Sequence, residues 1–158
     1  YRSRPPPRVL SLRLVFLSAA LRLPVDDVGA RLVYAFDTAL QYRHALFRGP
    51  SVLGLSGEVG YSFLGANGHF LALGAGLALE REAGWSFGLS PKALVGTLAG
   101  DGSVGGRVAL PIEYDFLGGI EPSYTVAHAN GHLFHFVGLA ITVNVPFFDG
   151  ARPKGTAR

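Results

Sequence analysis

Apolar residues alternate with small or charged ones along most of this chain, and that alternation narrows its possible folds more than any other feature. The clearest stretch runs Leu32, Tyr34, Phe36, Thr38, Leu40, Tyr42. Between these sit Arg31, Val33, Ala35, Asp37, Ala39, Gln41 and Arg43. A period of two marks a β-strand with two chemically different faces. In a water-soluble barrel the charges face outward and the interior is apolar. Here the apolar face is too uniform, segment after segment, to be one small core. Turning that face toward lipid and the charges inward sorts the residues most simply, which is the pattern of a transmembrane β-barrel.

Composition supports strands over helices. The 158 residues suffice for one domain, and hydrophobic residues make up 49% against 16% charged, an apolar balance for a water-soluble domain. No run of about 18 apolar residues offers a helical membrane span. Twenty-two glycines and ten prolines argue against a helical bundle. The absence of cysteine excludes disulfides, thiolate zinc sites and thiol nucleophiles. Val9 to Leu23 reads as a strand and not as an export signal, because Arg13 interrupts it. The basic excess lies in the tails, at Arg2, Arg4, Arg8, Arg152, Lys154 and Arg158, and no basic-aromatic face suggests nucleic acid.

The pattern predicts a tail over 1–8, a β-barrel over 9–148 and a basic tail over 149–158. Within the barrel it predicts strands over 9–20, 31–44, 51–64, 69–81, from 85 onward, 104–116, 119–128 and 132–147. Connections such as Ala66-Asn67-Gly68, Gly118-Gly119 and Ala129-Asn130-Gly131 read as tight turns. Pro91 leaves the facing of Lys92 to Leu98 open, because a bulge there would exchange the two faces. The expected fold class is all-β: an eight-stranded antiparallel up-and-down transmembrane β-barrel.

Alternation assigns a polar interior to Arg13, Arg31, Asp37, Arg43, Glu58, Glu80, Arg107, Glu113, Asp115 and Glu121. Charges enclosed together must pair or be hydrated. Tyr42, Trp85, Tyr114, Phe116 and Phe147 fall near one end of their strands and read as an aromatic girdle.

The strand count and alternation over residues 9–148 resemble small eight-stranded outer-membrane barrels of Gram-negative bacteria, of the OmpA-transmembrane-domain and OmpX type. Phe136-x-Gly138-x-x-Ile141-x-Val143, followed by Phe147-Phe148, looks like the C-terminal signal read by the barrel-assembly machinery. The resemblance implies residence in the bacterial outer membrane. It also implies contact with its lipid and lipopolysaccharide, handling by the assembly machinery, and contacts to other envelope proteins through tails or rim. The expected role is structural: an anchor or assembly subunit with a largely plugged interior. A small pore, a soluble lipocalin-like ligand-binding barrel and a lipid-modifying enzyme are the alternatives.

The enzyme alternative rests on similarity to lipid A deacylase barrels, which place a serine two residues after a histidine. Here His128-Ala129-Asn130 lacks that serine. His132 and His135 fall on opposite strand faces, which argues against a metal site. The expectation is of no catalysis, no metal and no cofactor.

Overall fold

The computed structural model describes residues 8–23, 30–48, 51–81, 84–115 and 117–149; residues 1–7 and 150–158 of the expected tails lie outside these segments. The strands are β1 (Arg8–Arg22), β2 (Arg31–Arg48), β3 (Ser51–Leu64), β4 (Gly68–Arg81), β5 (Trp85–Leu98), β6 (Asp101–Ala109), β7 (Ile112–Tyr114), β8 (Gly118–Ala129) and β9 (His132–Asp149). A 3₁₀ turn, Gly65–Asn67, joins β3 to β4.

All nine strands belong to one sheet, in the order β4-β3-β2-β1-β9-β8-β6-β5-β7, with β4 also pairing β5 and β7 also pairing β8. Every pairing is antiparallel. The sheet therefore wraps back on itself, and each strand has a partner on both sides. The tight turns between neighbours use left-handed backbone at Ala99-Gly100 and Asn130-Gly131, where glycine carries the positive φ without a Cβ clash.

The expectation of an eight-stranded up-and-down transmembrane barrel is corrected on count and continuity. The described residues form nine strands, and β5 and β8 each take three partners. Leu110 and Pro111 cause the interruption between β6 and β7, because proline has no N–H to give to a ladder. The Leu110 N–H donates to the Pro122 carbonyl at 2.9 Å, and the Pro111 carbonyl accepts from Gly88 N–H at 2.8 Å. Beyond the break β7 keeps the register of β6 against β5, from Ser90–Ala109 to Phe87–Ile112. A transmembrane disposition is not shown by the strand pairing. Among the described residues no helix is long and apolar enough to cross a membrane, an observation that does not bear on strands.

The two faces of the sheet differ sharply. Leu32 is 70% exposed on the outer wall, and Leu71, Leu110, Leu139 and Ile141 are exposed with it. Arg13 and Glu113, by contrast, are each 1% exposed inside. Such a wall is stable only against another apolar surface, since each Å² of apolar area left in water forgoes about 25 cal/mol. The ligand-binding alternative placed the apolar face inward along the whole length, and here most of that face is outside.

Local departures from the sequence reading have identifiable causes. A bulge between Val15 and Ser18 shifts β1 against β2, and a shift between Phe16 and Ala19 accompanies it against β9. Pro91 faces outward and does not exchange the faces, so Lys92 is buried inside. Gly118 and Gly119 are not the turn; they pair with Val143 and Thr142 inside the sheet. The turn lies just before them, at Asp115, whose φ of 52° takes it out of the strand.

Candidate functional site

The enclosed space has two chemically distinct halves. At the end where β2, β4, β6 and β9 begin, the interior is apolar. Leu64, Phe70, Leu94, Leu98 and Phe136 pack there with Ala20, Ala35, Ala72, Ala127 and Ala129, and Val33 and Phe134 lie against them. Small residues leave room beside the large ones, and the packing stops short of the rim. The result is a cup of about 470 Å³, lined by Val33, Phe63, Leu64, Leu98, Phe134 and Phe136, with Arg22 and Arg31 also lining it. That volume lies within the usual range for small-molecule pockets.

Below the cup floor the interior becomes ionic. Arg107 comes first. Its Nη1 donates to both Asp37 carboxylate oxygens at 2.9 and 2.8 Å, its Nη2 to Ser62 at 3.0 Å, and its Nε to Thr125 at 2.9 Å. Arg13 follows, hydrogen-bonded to Glu121 and within 3.9 Å of Glu58 and 3.8 Å of Glu113. Lys92 Nζ lies 2.5 Å from Glu58 and 3.8 Å from Glu121. Glu113 then accepts from Arg43 at 2.7 Å and from Asn144 at 3.1 Å. Charge-assisted, many-partnered bonds of this kind compensate ions removed from water.

The electrostatics follow from that packing. Burial alone would raise the Asp37 carboxyl, but the Arg107 charge and the Ser62 bond outweigh it and hold the pKa below the usual range. Glu113 is held low in the same way, burial being outweighed by Arg43 and Arg13. Glu80, half-buried, is pushed up to about 7 by burial, with Asp115 and Glu113 adding to the rise against the opposing pull of Arg43.

Gly74 makes the Glu58–Lys92 pair possible. A Cβ there would stand 2.8 Å from Glu58 Cγ and 3.1 Å from Lys92 Cγ. Between cup and ions lies a void of about 10 Å³, bordered by Leu64, Phe136, Asp37 and Arg107. That is about the space of one water.

The structure brings together Arg13, Asp37, Arg43, Glu58, Arg107, Glu113 and Glu121 of the interior set read from sequence. Arg31 stands apart at the cup mouth. Glu80 lies on β4 outside the ion pairs, and Asp115 is exposed at its turn. Ser62 and Thr125, which alternation also turns inward, are the hydroxyl partners of Arg107; Lys92 was left unassigned, and the needed signal was a facing for the residues after Pro91. The cup was missed entirely, since the inward Ala, Val and Leu positions at one end carry no marking in a period of two.

Tyr42, Trp85, Tyr114 and Phe147 are exposed on the outer wall at the end away from the cup. Trp85 and Tyr114 are cross-strand partners whose rings meet edge to face at 5.2 Å. Phe116 lies outside the described residues. His128 and His132 are exposed and His135 is half-buried, its Nδ1 2.7 Å from the Tyr124 hydroxyl. Among the described residues no group of three or more His, Asp or Glu side chains is placed to hold a metal ion.

No family model, no curated protein and no solved structure matches this chain. The resemblance to OmpA- and OmpX-type barrels is corrected on the topology: it rested on alternation and a count of eight strands, and the described residues form nine, two of which take three partners. What it alone implied goes with it. That covers the outer-membrane location, lipopolysaccharide and the assembly machinery as partners, the envelope-protein contacts, and the anchor or assembly-subunit role. The pore alternative meets the interior described above, which ion pairs cross.

Proposed function

We propose that this protein binds a small apolar or amphipathic molecule in the cup, and that the ionic half closes the interior beneath it. The observation that carries this reading is the 470 Å³ space lined by Val33, Leu64, Leu98, Phe134 and Phe136. It is the ligand-binding alternative in altered form. The ligand space is confined to one end, and the opposite half is occupied by paired charges. A concave apolar pocket with few polar groups is the usual form of a small-molecule site.

The test is saturable binding of a neutral fluorescent naphthylamine to the full chain, with its outer wall covered by an amphipathic polymer. Val33→Trp should fill the cup and weaken binding about tenfold or more, since a blocked pocket loses most of its apolar contact. The variant's unfolding midpoint should stay close to that of the parent. Non-saturating uptake, equal in both proteins, would mean that the probe dissolves in the wall covering and would refute the reading.

The proposal is of binding without catalysis. His128 is followed by Ala129 and Asn130, and its side chain is exposed on β8 outside the enclosed space. Incubation with lipopolysaccharide and phospholipid should leave their acyl chains intact by mass spectrometry. Acyl loss that disappears in His128→Ala would establish an enzyme instead.

A further inference from the structure

We propose that the cup selects amphiphiles with an anionic head, held by Arg22 and Arg31. This inference rests on the cup being a ligand site and adds the chemistry of what enters it. Arg22 on β1 and Arg31 on β2 are direct cross-strand partners, and both line the cup. Like charges set opposite one another on neighbouring strands repel. The cations buried deeper answer this problem with carboxylates: Arg13 with Glu121, Lys92 with Glu58, Arg107 with Asp37. Among the described residues the ion pairs all lie below the cup, and none includes Arg22 or Arg31.

An anion at the mouth would relieve that repulsion. Guanidinium groups carried by two paired residues offer planar forks that suit a carboxylate or sulfate better than a neutral hydroxyl. An apolar chain attached to such a head would point away from them onto Val33, Leu98 and Phe134. The geometry therefore points to a single-chain anionic amphiphile, head at the arginines and tail in the cup.

Displacement of the neutral probe by dodecanoate and by dodecanol tests this. The two share a chain and differ in the head. Dodecanoate should displace the probe at a concentration about tenfold lower, the scale of one charge-assisted contact over a neutral one. In Arg22→Gln/Arg31→Gln the two ligands should converge, with dodecanol unchanged, which shows the cup itself intact. Arg22→Lys/Arg31→Lys should recover part of the difference. Equal displacement by both ligands from the unsubstituted chain would overturn the head-group assignment and leave the cup standing. A probe that shows no saturable site would overturn the cup, and this assignment with it.

Discussion

The two halves of the interior solve the same problem by opposite means. Toward the cup, Phe70, Leu94 and Phe136 fill the space with apolar volume and tolerate a gap above them. Toward the other end, Arg13, Glu58, Lys92, Glu113 and Glu121 fill it with charge and depend on every partner being present. Apolar packing is graded: a smaller side chain leaves a cavity and loses stability in proportion to its volume. Ionic packing is closer to all-or-none, because an ion stripped of its partner remains out of water. A site that must open to a ligand is therefore better built in the first half than in the second.

The largest effect should come from removing the shared cation. Arg13→Ala leaves Glu121, Glu58 and Glu113 without their common partner. Breaking a buried pair costs about 3–5 kcal/mol, and three carboxylates depend on this one. Denaturant unfolding should show a loss in that range, and a loss below about 1 kcal/mol would mean that the ionic half tolerates gaps as the apolar half does.

Phe136→Ala makes the matching cut on the apolar side. Phe136 is buried and borders both the cup and the small void beneath it. Truncation should cost about 3 kcal/mol, the lower part of the range for core phenylalanine, because the site already abuts open space. It should also enlarge the cup enough to admit a bulkier neutral probe. A loss of stability without any change in probe size selection would separate Phe136 from the ligand space.

Gly74→Ala sharpens the comparison at smaller scale. The added methyl meets Glu58 Cγ and Lys92 Cγ. Overpacking of this degree costs about 1–3 kcal/mol, and the expected value is near the lower end because both contacts are to flexible chains. An Ala72→Gly change in the apolar half should cost no more than about 1 kcal/mol, the strand and packing penalty of glycine. The prediction is checked by the order of the two midpoints.

How much of this was legible in the sequence follows from the same contrast. Charge marks its own position: Arg13, Glu58, Arg107, Glu113 and Glu121 could be placed inside by parity alone, because their neighbours Leu12, Val59, Val108, Tyr114 and Ile120 are apolar. Parity fails where the strand ends or changes direction. Asp115 has inward parity but sits in a turn with positive φ, and Lys92 could not be placed until Pro91 was seen to face outward without a bulge. The division of one strand into β6 and β7 depends on Pro111 lying in the ladder, which a run of alternating residues does not display. The cup was hidden for a different reason. Val33, Leu98 and Phe134 become a cavity lining only through the cross-strand register that gathers them, and register is a property of pairs of strands.

The smallest expected effect concerns pH, and it separates Glu80 from the paired carboxylates Asp37 and Glu113. Glu80 is pushed up to about 7, first by burial and then by Asp115 and Glu113. A folded-state value above the unfolded one means that the folded chain holds the extra proton. Its contribution to stability is present below the ordinary carboxylate range and is lost as pH rises through about 7. Asp37 and Glu113 run the other way: their values are depressed, so their contribution is present above the unfolded range and is lost as pH falls through the folded values. Stability should therefore decline gently between the ordinary carboxylate range and neutrality, and steeply only in stronger acid. Glu80→Gln cannot ionise and should remove the gentle decline while leaving the acid limb in place. Unfolding midpoints measured across the pH range check this, and an unchanged decline in Glu80→Gln would assign it to another group.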